Sequence, residues 1–142
     1  MTRRAVVYID GGARGNPGPA GYGVRIETSN GDVENELYEP IGIATNNVAE
    51  YRGLIAALDY LVRDNFQEAL IRSDSQLLVR QMQGRYRVRH PRLQLLHREA
   101  KELEARLDLV TFEHVRRTEN TAADRLSNLA MDAQEATEKD FT

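Results

Sequence analysis

The 142-residue sequence contains no cysteine, which excludes a disulfide framework and any thiolate metal site. A domain of this length buries roughly two-thirds of its unfolded surface and needs no covalent staple, so one core-stabilised domain is expected. No apolar run approaches the roughly twenty residues of a membrane span, and Thr2-Arg3-Arg4 leads straight into a short apolar segment rather than a secretory signal. The reading is a soluble, cytoplasmic, monomeric protein with no membrane partner. There is no Gly-x-x-x-x-Gly-Lys-Ser/Thr and no Gly-x-Gly-x-x-Gly opening a helix, which sets nucleotide binding aside. Formal net charge is −3, so the chain as a whole offers no attraction for a polyanion. Acid is nevertheless missing locally. Between Asp74 and Glu99 there is none, while Arg80, Arg85, Arg87, Arg89, Arg92 and Arg98 fall there with His90 and His97. Such a stretch is either a local nucleic-acid contact or a solvated charged loop.

What is present begins with Val6-Val7-Tyr8-Ile9-Asp10, an apolar β-branched run closing in a carboxylate. It reads as a strand covered on both faces, with Asp10 emerging at the edge of a sheet, where function concentrates in α/β folds. The alternative for Asp10 is a turn aspartate. The Gly/Pro segment Gly11 to Gly21 connects to a second strand, Tyr22 to Glu27. Its glycines serve either a tight bend or a backbone that a ligand approaches closely. After the Asn30-Gly31-Asp32 turn, Val33 to Glu39 is a third strand.

Thr45-Asn46-Asn47 then offers helix-start chemistry, and Leu54, Ala57, Leu58, Leu61 and Val62 recur at helical spacing, predicting a helix from about Asn47 to Asp64 closed by Asn65. Ala69-Leu70-Ile71 is a short strand, and Ser73-Asp74-Ser75 ends it and caps a helix running to about Gln83. Gly84 to His90 is a loop and Pro91 suits a first helical turn. Leu93, Leu96, Ala100, Leu103 and Leu107 form an amphipathic stripe that should cover one face of the sheet. Leu109 to Val115 alternates as a last strand, and Ala122 to Ala133 is a last helix with Leu126, Leu129 and Ala130 inward. The order βββαβααβα describes an α/β domain over residues 1–133, a mixed sheet flanked by helices, and the polar tail 134–142 is expected to fray.

Four carboxylates fall at element boundaries: Asp10 and Asp74 at strand ends, Glu50 and Asp124 at helix starts. Each has an ordinary explanation, Glu50 as the capping-box partner of Asn47 and the two later aspartates as macrodipole-favoured residues. Together they can converge on one edge of a sheet, where they could not all stay ionised without a cation. Oxygen-only ligands select a hard divalent ion. Two Mg²⁺ ions held this way do the chemistry of phosphodiester cleavage.

Tyr8-Ile9-Asp10-Gly11 with Gly15-Asn16-Pro17-Gly18-Pro19, Thr45-Asn46-Asn47-x-x-Glu50, Ser73-Asp74-Ser75-Gln76 and Asn120-Thr121-x-x-Asp124 resemble, in order, the successive motifs of type 1 ribonuclease H. The resemblance spans nearly the whole chain. It implies an RNase H-like fold whose five-stranded mixed sheet has order 3-2-1-4-5 with the second strand antiparallel. The activity it implies is endonucleolytic cleavage of the RNA strand of RNA/DNA hybrids, leaving 3′-hydroxyl and 5′-phosphate ends. Asp10, Glu50, Asp74 and Asp124 would be ligands of Mg²⁺, with Mn²⁺ as a substitute. Asn16, Asn46, Asn47 and Gln76 match minor-groove contacts to the hybrid, and Thr45 matches a residue that helps hold a DNA phosphate. The chemistry of the residues agrees, because a neutral amide can match the 2′-hydroxyl as donor or acceptor. Taken singly, these amides read as turn, cap or surface residues.

Two departures from the family pattern stand out. The connection from Gln83 to Pro91 is too short for the family's lysine-rich basic protrusion, and Arg85, Arg87 and Arg89 are the candidates to substitute for it in part. The segment Arg116-Arg117-Thr118-Glu119 has no histidine where many members carry a mobile one. Arg117 is the candidate to take its place, since a guanidinium stabilises phosphate charge without shuttling a proton. Asn120 would act there only by hydrogen bonding, or simply cap the last helix. His114 reads as a packing residue of the last strand, and His90 and His97 as surface or nucleic-acid-facing residues. The competing functions are a nuclease of this scaffold acting also on double-stranded RNA and a hybrid-binding module with a weak acidic centre.

Overall fold

The first strand does not stop at its carboxylate. In the computed structural model, which describes residues 2–139, β1 spans Arg4–Ala13 and pairs antiparallel with β2, Gly18–Thr28, as far as Ala13 opposite Ala20. Of the glycines expected in a connection, Gly11, Gly12, Gly18 and Gly21 therefore lie inside strands, and Gly15 alone stays between them. β3, Val33–Ala44, follows, then α1, Asn46–Arg63, and β4, Glu68–Ser73. The rest comprises α2, Gln76–Met82, α3, Pro91–Glu104, β5, Leu109–His114, a 3₁₀ turn over Arg117–Glu119, and α4, Thr121–Lys139. The sheet order is β3-β2-β1-β4-β5, with β1 parallel to β4, β4 parallel to β5, and β2 antiparallel to both its neighbours. This is the order and orientation that the motifs imply.

Alternation along β1 assigns its faces. Ala5, Val7 and Ile9 are buried in one core with Leu54, Ala57, Leu58 and Leu61 of α1, while Asp10 projects from the opposite face. Thr45 is the N-cap of α1, its hydroxyl accepting from the Val48 N–H at 3.3 Å. Asn65, at φ 60°, closes the helix as expected. Because the cap is Thr45, Glu50 lies beyond the capping-box position and that explanation of it fails.

α3 differs from expectation. Its apolar stripe packs on α1 rather than on the sheet, so α1 is the layer between them. An amphipathic stripe specifies that a face is buried, not which partner buries it. The tail also differs, since α4 continues as helix to Lys139. Gln134 Oε1 accepts the Gly42 N–H at 2.8 Å, and Glu135 pairs with Arg14 at 3.2 Å, which ties the expected tail to the sheet. Residues 140–142 of that tail lie outside the described residues. Leu129, expected inward, is 39% exposed, and the buried side of α4 is Ala123, Leu126, Ser127, Ala130 and Met131.

Two glycines let the helices reach the sheet. A Cβ on Gly11 would lie 2.4 Å from the Ala49 carbonyl carbon and 2.5 Å from the Glu50 nitrogen. On the other face, a Cβ on Gly23 would lie 2.5 Å from the Ala123 oxygen and 2.6 Å from the Ser127 nitrogen. Both contacts are backbone against backbone, so neither can be relieved by a rotamer change. α1 and α4 thus close on β1 and β2 from opposite sides, level with Asp10.

Candidate active site

Asp10 and Asp74 are brought together by register. The β1–β4 pairing ends at Ile9 opposite Ser73, so the next residue on each chain, Asp10 and Asp74, leaves the ladder side by side. Gly11 admits α1 and with it Glu50, while α4 begins at Thr121 and presents Asp124 in its first turn. All four carboxylates line one cleft of about 810 Å³. Asn46, Asn47, Arg14, His114, Arg116, Arg117, Ser127 and Asn128 share its walls.

The charges in this cleft are felt in the carboxyl groups. Burial, then the Asp74 charge, pushes Asp10 up to about 7, with Asp124 adding to the rise and hydrogen bonds from Ser127 and the Gly11 backbone opposing it. Burial likewise pushes Glu50 up to about 7, opposed by a hydrogen bond with Ser75 and reinforced by Asp10 and Asp74. No ion pair among the described residues reaches any of the four. Arg14, on the cleft wall, is committed to Asp132 at 2.6 Å and to Glu135.

A divalent cation fits this chemistry. The donors are carboxylate oxygens, two of them on carboxyls pushed up to about 7 by burial and by neighbouring negative charge, and a hard dication would offset both causes. Among the described residues no three of these side chains are gathered into a ready-made metal cage, as expected of like charges that repel one another.

Several predicted substrate contacts turn out to be built into the scaffold. Asn16 Oδ1 accepts the Asn46 N–H at 2.9 Å, and Asn46 Oδ1 accepts the Ala13 N–H at 2.7 Å. These two amides latch the β1–β2 connection to the start of α1, each with one oxygen lone pair engaged and, among the described residues, its NH₂ group free for a ligand. Asn47, on the cleft wall, and Gln76, exposed at the start of α2, make no side-chain hydrogen bond among the described residues. Each keeps both donor and acceptor. Thr45 and Asn16 are outside the cleft lining.

Arg85, Arg87 and Arg89 are exposed in the connection between α2 and α3 and lie apart from the carboxylates. Arg87 lines a separate groove with Tyr86, His97, Arg98 and Lys101. His90 is the N-cap of α3, its Nδ1 accepting the Arg92 N–H at 3.2 Å. Arg117 does reach the carboxylate cleft.

His114 is a correction. It is not packed inside the strand: it is exposed on the cleft wall, with Nε2 3.2 Å from the Asp74 carbonyl oxygen. Along β5 only Val110 and Phe112 turn toward the core, and they are no more than half-buried; His114 follows them on the same face but as the last residue of the strand, where nothing covers it. Asn120, in turn, does not cap α4 with its side chain. It is fully buried, donating from Nδ2 to the Ile9 carbonyl at 2.8 Å and to Asp74 Oδ2 at 3.4 Å. Ser127, Asn128, Arg14 and Arg116 went unnoticed in the sequence. The helical offsets of three and four from Asp124 were the available signal for the first two.

The family described as Reverse transcriptase-like matches residues 8–130. The chain is 50% identical over 131 residues to the bifunctional protein Rv2228c of Mycobacterium tuberculosis, covering 92% of this chain and 36% of that protein. The solved N-terminal RNase H domain of that protein superposes with a TM-score of 0.94 at 48% identity, covering 96% of this chain and 99% of the other. Ribonuclease HI of Halobacterium salinarum is 40% identical over 129 residues, 91% of this chain and 65% of that protein. LC11-RNase H1, solved in complex with an RNA/DNA hybrid, has a TM-score of 0.87 at 42% identity, with 91% of this chain and 97% of that chain covered. The chain spans about a third of the length of the first curated relatives it matches.

Proposed function

This chain belongs to the ribonuclease H family, and on that premise we propose that it is an endonuclease hydrolysing the RNA strand of RNA/DNA hybrids, with Mg²⁺ as cofactor and Mn²⁺ as substitute. The observation that carries the reading is the convergence of Asp10, Glu50, Asp74 and Asp124 on one cleft, two of them pushed up to about 7 in the absence of any neutralising side chain. These four would hold the ions. The chemistry supplied with two ions bound is activation of a water and stabilisation of the departing 3′-oxygen, which leaves a 5′-phosphate.

The protein's own residues then bind and orient the substrate. Asn47 and Gln76 can both give and accept hydrogen bonds, which suits the 2′-hydroxyl that distinguishes RNA from DNA. Asn16 and Asn46 keep their NH₂ donors free, suited to acceptor atoms of the minor groove, and they latch the start of α1 beside Thr45, the candidate contact to a DNA phosphate. Arg85, Arg87 and Arg89 supply sequence-independent attraction for the backbone. Arg117 stands at the cleft to stabilise phosphate charge and loosen the bound product. The cofactor, these contacts and the product ends are supported by the motifs and by the chemistry of the cleft.

The test is cleavage of end-labelled RNA/DNA hybrid, double-stranded RNA, single-stranded RNA and DNA duplex, each with Mg²⁺, Mn²⁺ or chelator. Cutting of the RNA strand of the hybrid, abolished by chelator, is expected. Equal cutting of double-stranded RNA would make the enzyme a broader ribonuclease, and binding without cutting would make it a hybrid-binding module.

A further inference from the structure

Ser127 has no counterpart among the motifs, and it is the side chain that joins two of the carboxylate-bearing elements. It is 1% exposed, and its Oγ lies 2.9 Å from Asp10 Oδ2 and 2.9 Å from the Asp124 carbonyl oxygen. A hydroxyl has one proton and serves one acceptor at a time. Serines inside helices commonly return that proton to a carbonyl three or four residues back, which would make the contact a local helix feature. Two observations oppose that. The Asp124 carbonyl already accepts from Asn128 Nδ2 at 2.9 Å, and Asp10 Oδ2 lies as close to Oγ as that carbonyl does, on a carboxyl that becomes a charge-assisted acceptor once it is ionised.

We propose that Ser127 is a positioning residue: by donating to Oδ2 it fixes the plane of the Asp10 carboxylate and its spacing from Asp124, and so sets the affinity for the divalent cation. The inference rests on the metal-dependent reading above. The fold provides the reach. Asp10 pairs with Gly23 across β1 and β2, and with no side chain on Gly23 the backbone of α4 lies on β2 at Ala123 and Ser127. A helix held at ordinary side-chain distance would leave the hydroxyl short of β1. With it in place, one oxygen of Asp10 is engaged before any cation arrives, and the carboxylate does not have to be ordered at the moment of binding.

The test uses the full chain without nucleic acid, titrated with Mn²⁺ and followed by the loss of the free-ion signal in electron paramagnetic resonance, with circular dichroism on each variant. Ser127→Ala is expected to raise the Mn²⁺ Kd roughly tenfold to a hundredfold, the usual effect of losing a residue that orients a ligand. Ser127→Thr, which keeps the hydroxyl, should stay within about threefold of the unsubstituted protein. An unchanged Kd in folded Ser127→Ala, with or without a lower melting temperature, would make Ser127 a helix-packing residue and overturn the inference. If the unsubstituted protein binds Mn²⁺ no better than Asp10→Asn, the metal-dependent reading itself falls. Should Ser127→Thr fail to fold, the alanine variant decides alone.

Discussion

Removing the charge of Asp10 should stabilise the metal-free protein at alkaline pH. Burial, with the Asp74 charge second, lifts this carboxyl from 3.8 to about 7. A carboxyl raised in the folded state keeps its proton longer there than in the unfolded chain. It takes no stability away below the unfolded value, an increasing amount as pH rises between the two values, and the full amount above the folded one. For this shift the full loss is on the order of 4 kcal/mol, about 2 kcal/mol of it between about pH 5.5 and about pH 8.5. For a chain of this size that corresponds to a fall in Tm of about 7 °C over the interval. Glu50, pushed up to about 7 chiefly by burial with Asp10 a lesser cause, acts in the same direction and adds to the loss. Asp10→Asn abolishes the first contribution and relieves part of the second, and its amide oxygen can still accept from Ser127. The assay is a set of thermal melts in chelator and in saturating Mg²⁺ at both pH values. The metal-free protein should lose stability with pH, Mg²⁺ should restore it, and Asp10→Asn should lose distinctly less, keeping the part that buried Glu50 contributes, and be insensitive to Mg²⁺. A flat profile for the unsubstituted protein, or an equal slope for Asp10→Asn, would refute a buried Asp10 carboxyl raised in the folded state.

Replacing Arg85, Arg87 and Arg89 together by alanine should flatten the slope of log hybrid affinity against log salt by about one to three, one for each phosphate no longer neutralised, with little change in single-turnover cleavage at saturating protein. An unchanged slope would make the segment a solvated loop. Arg117→Ala should lower kcat by roughly tenfold to a hundredfold, the scale of losing a charge-stabilising donor or somewhat less. Since His114 also lines the cleft, His114→Ala is the necessary comparison in a pH–rate series. If only the histidine variant is crippled, and a histidine-like ionisation vanishes with it, the proton-transfer role lies in β5 and the role given to Arg117 is wrong. Glu50→Gln should abolish cleavage with little loss of stability, because Thr45 and not Glu50 caps α1; melting and turnover measured on the same preparation separate the two effects.

The four carboxylates were legible because each lies at or close to a change of local chemistry, Ser73-Asp74-Ser75, Thr45-Asn46-Asn47 and the β-branched run before Asp10, although β1 runs on past Asp10 and Glu50 lies inside α1. Strand order was legible only through the family motifs, since pairing partners far apart in sequence leave no local trace. Ser127 was not legible. A single serine on the apolar side of a helix, among Ala123, Ala130 and Met131, gives no sign of a carboxylate partner until Gly23 is known to bring that helix onto β2. His114 was misread because alternation gives a side chain's face and not how far the cover extends: Val110 and Phe112 on that face meet the core, while His114 at the end of the edge strand opens onto the cleft. α3 and the end of α4 failed for a related reason. Amphipathicity showed that Leu93 and Ala100 are buried, but not that α1 would bury them, and nothing local in Gln134 or Glu135 announces their partners Gly42 and Arg14.

The central claim is that these carboxylates make a metal-dependent hydrolytic centre, and the most direct measurement is the chemistry of the cut ends. RNA/DNA hybrid labelled in the RNA strand is incubated in Mg²⁺ with the unsubstituted chain and with Asp10→Asn, and the products are resolved by end analysis. The account predicts 3′-hydroxyl and 5′-phosphate ends from the first and no cleavage from the second, because attack by an activated water leaves the phosphate on the 5′ side. Products with 2′,3′-cyclic phosphate ends, or cleavage by Asp10→Asn at the unsubstituted rate, would contradict it.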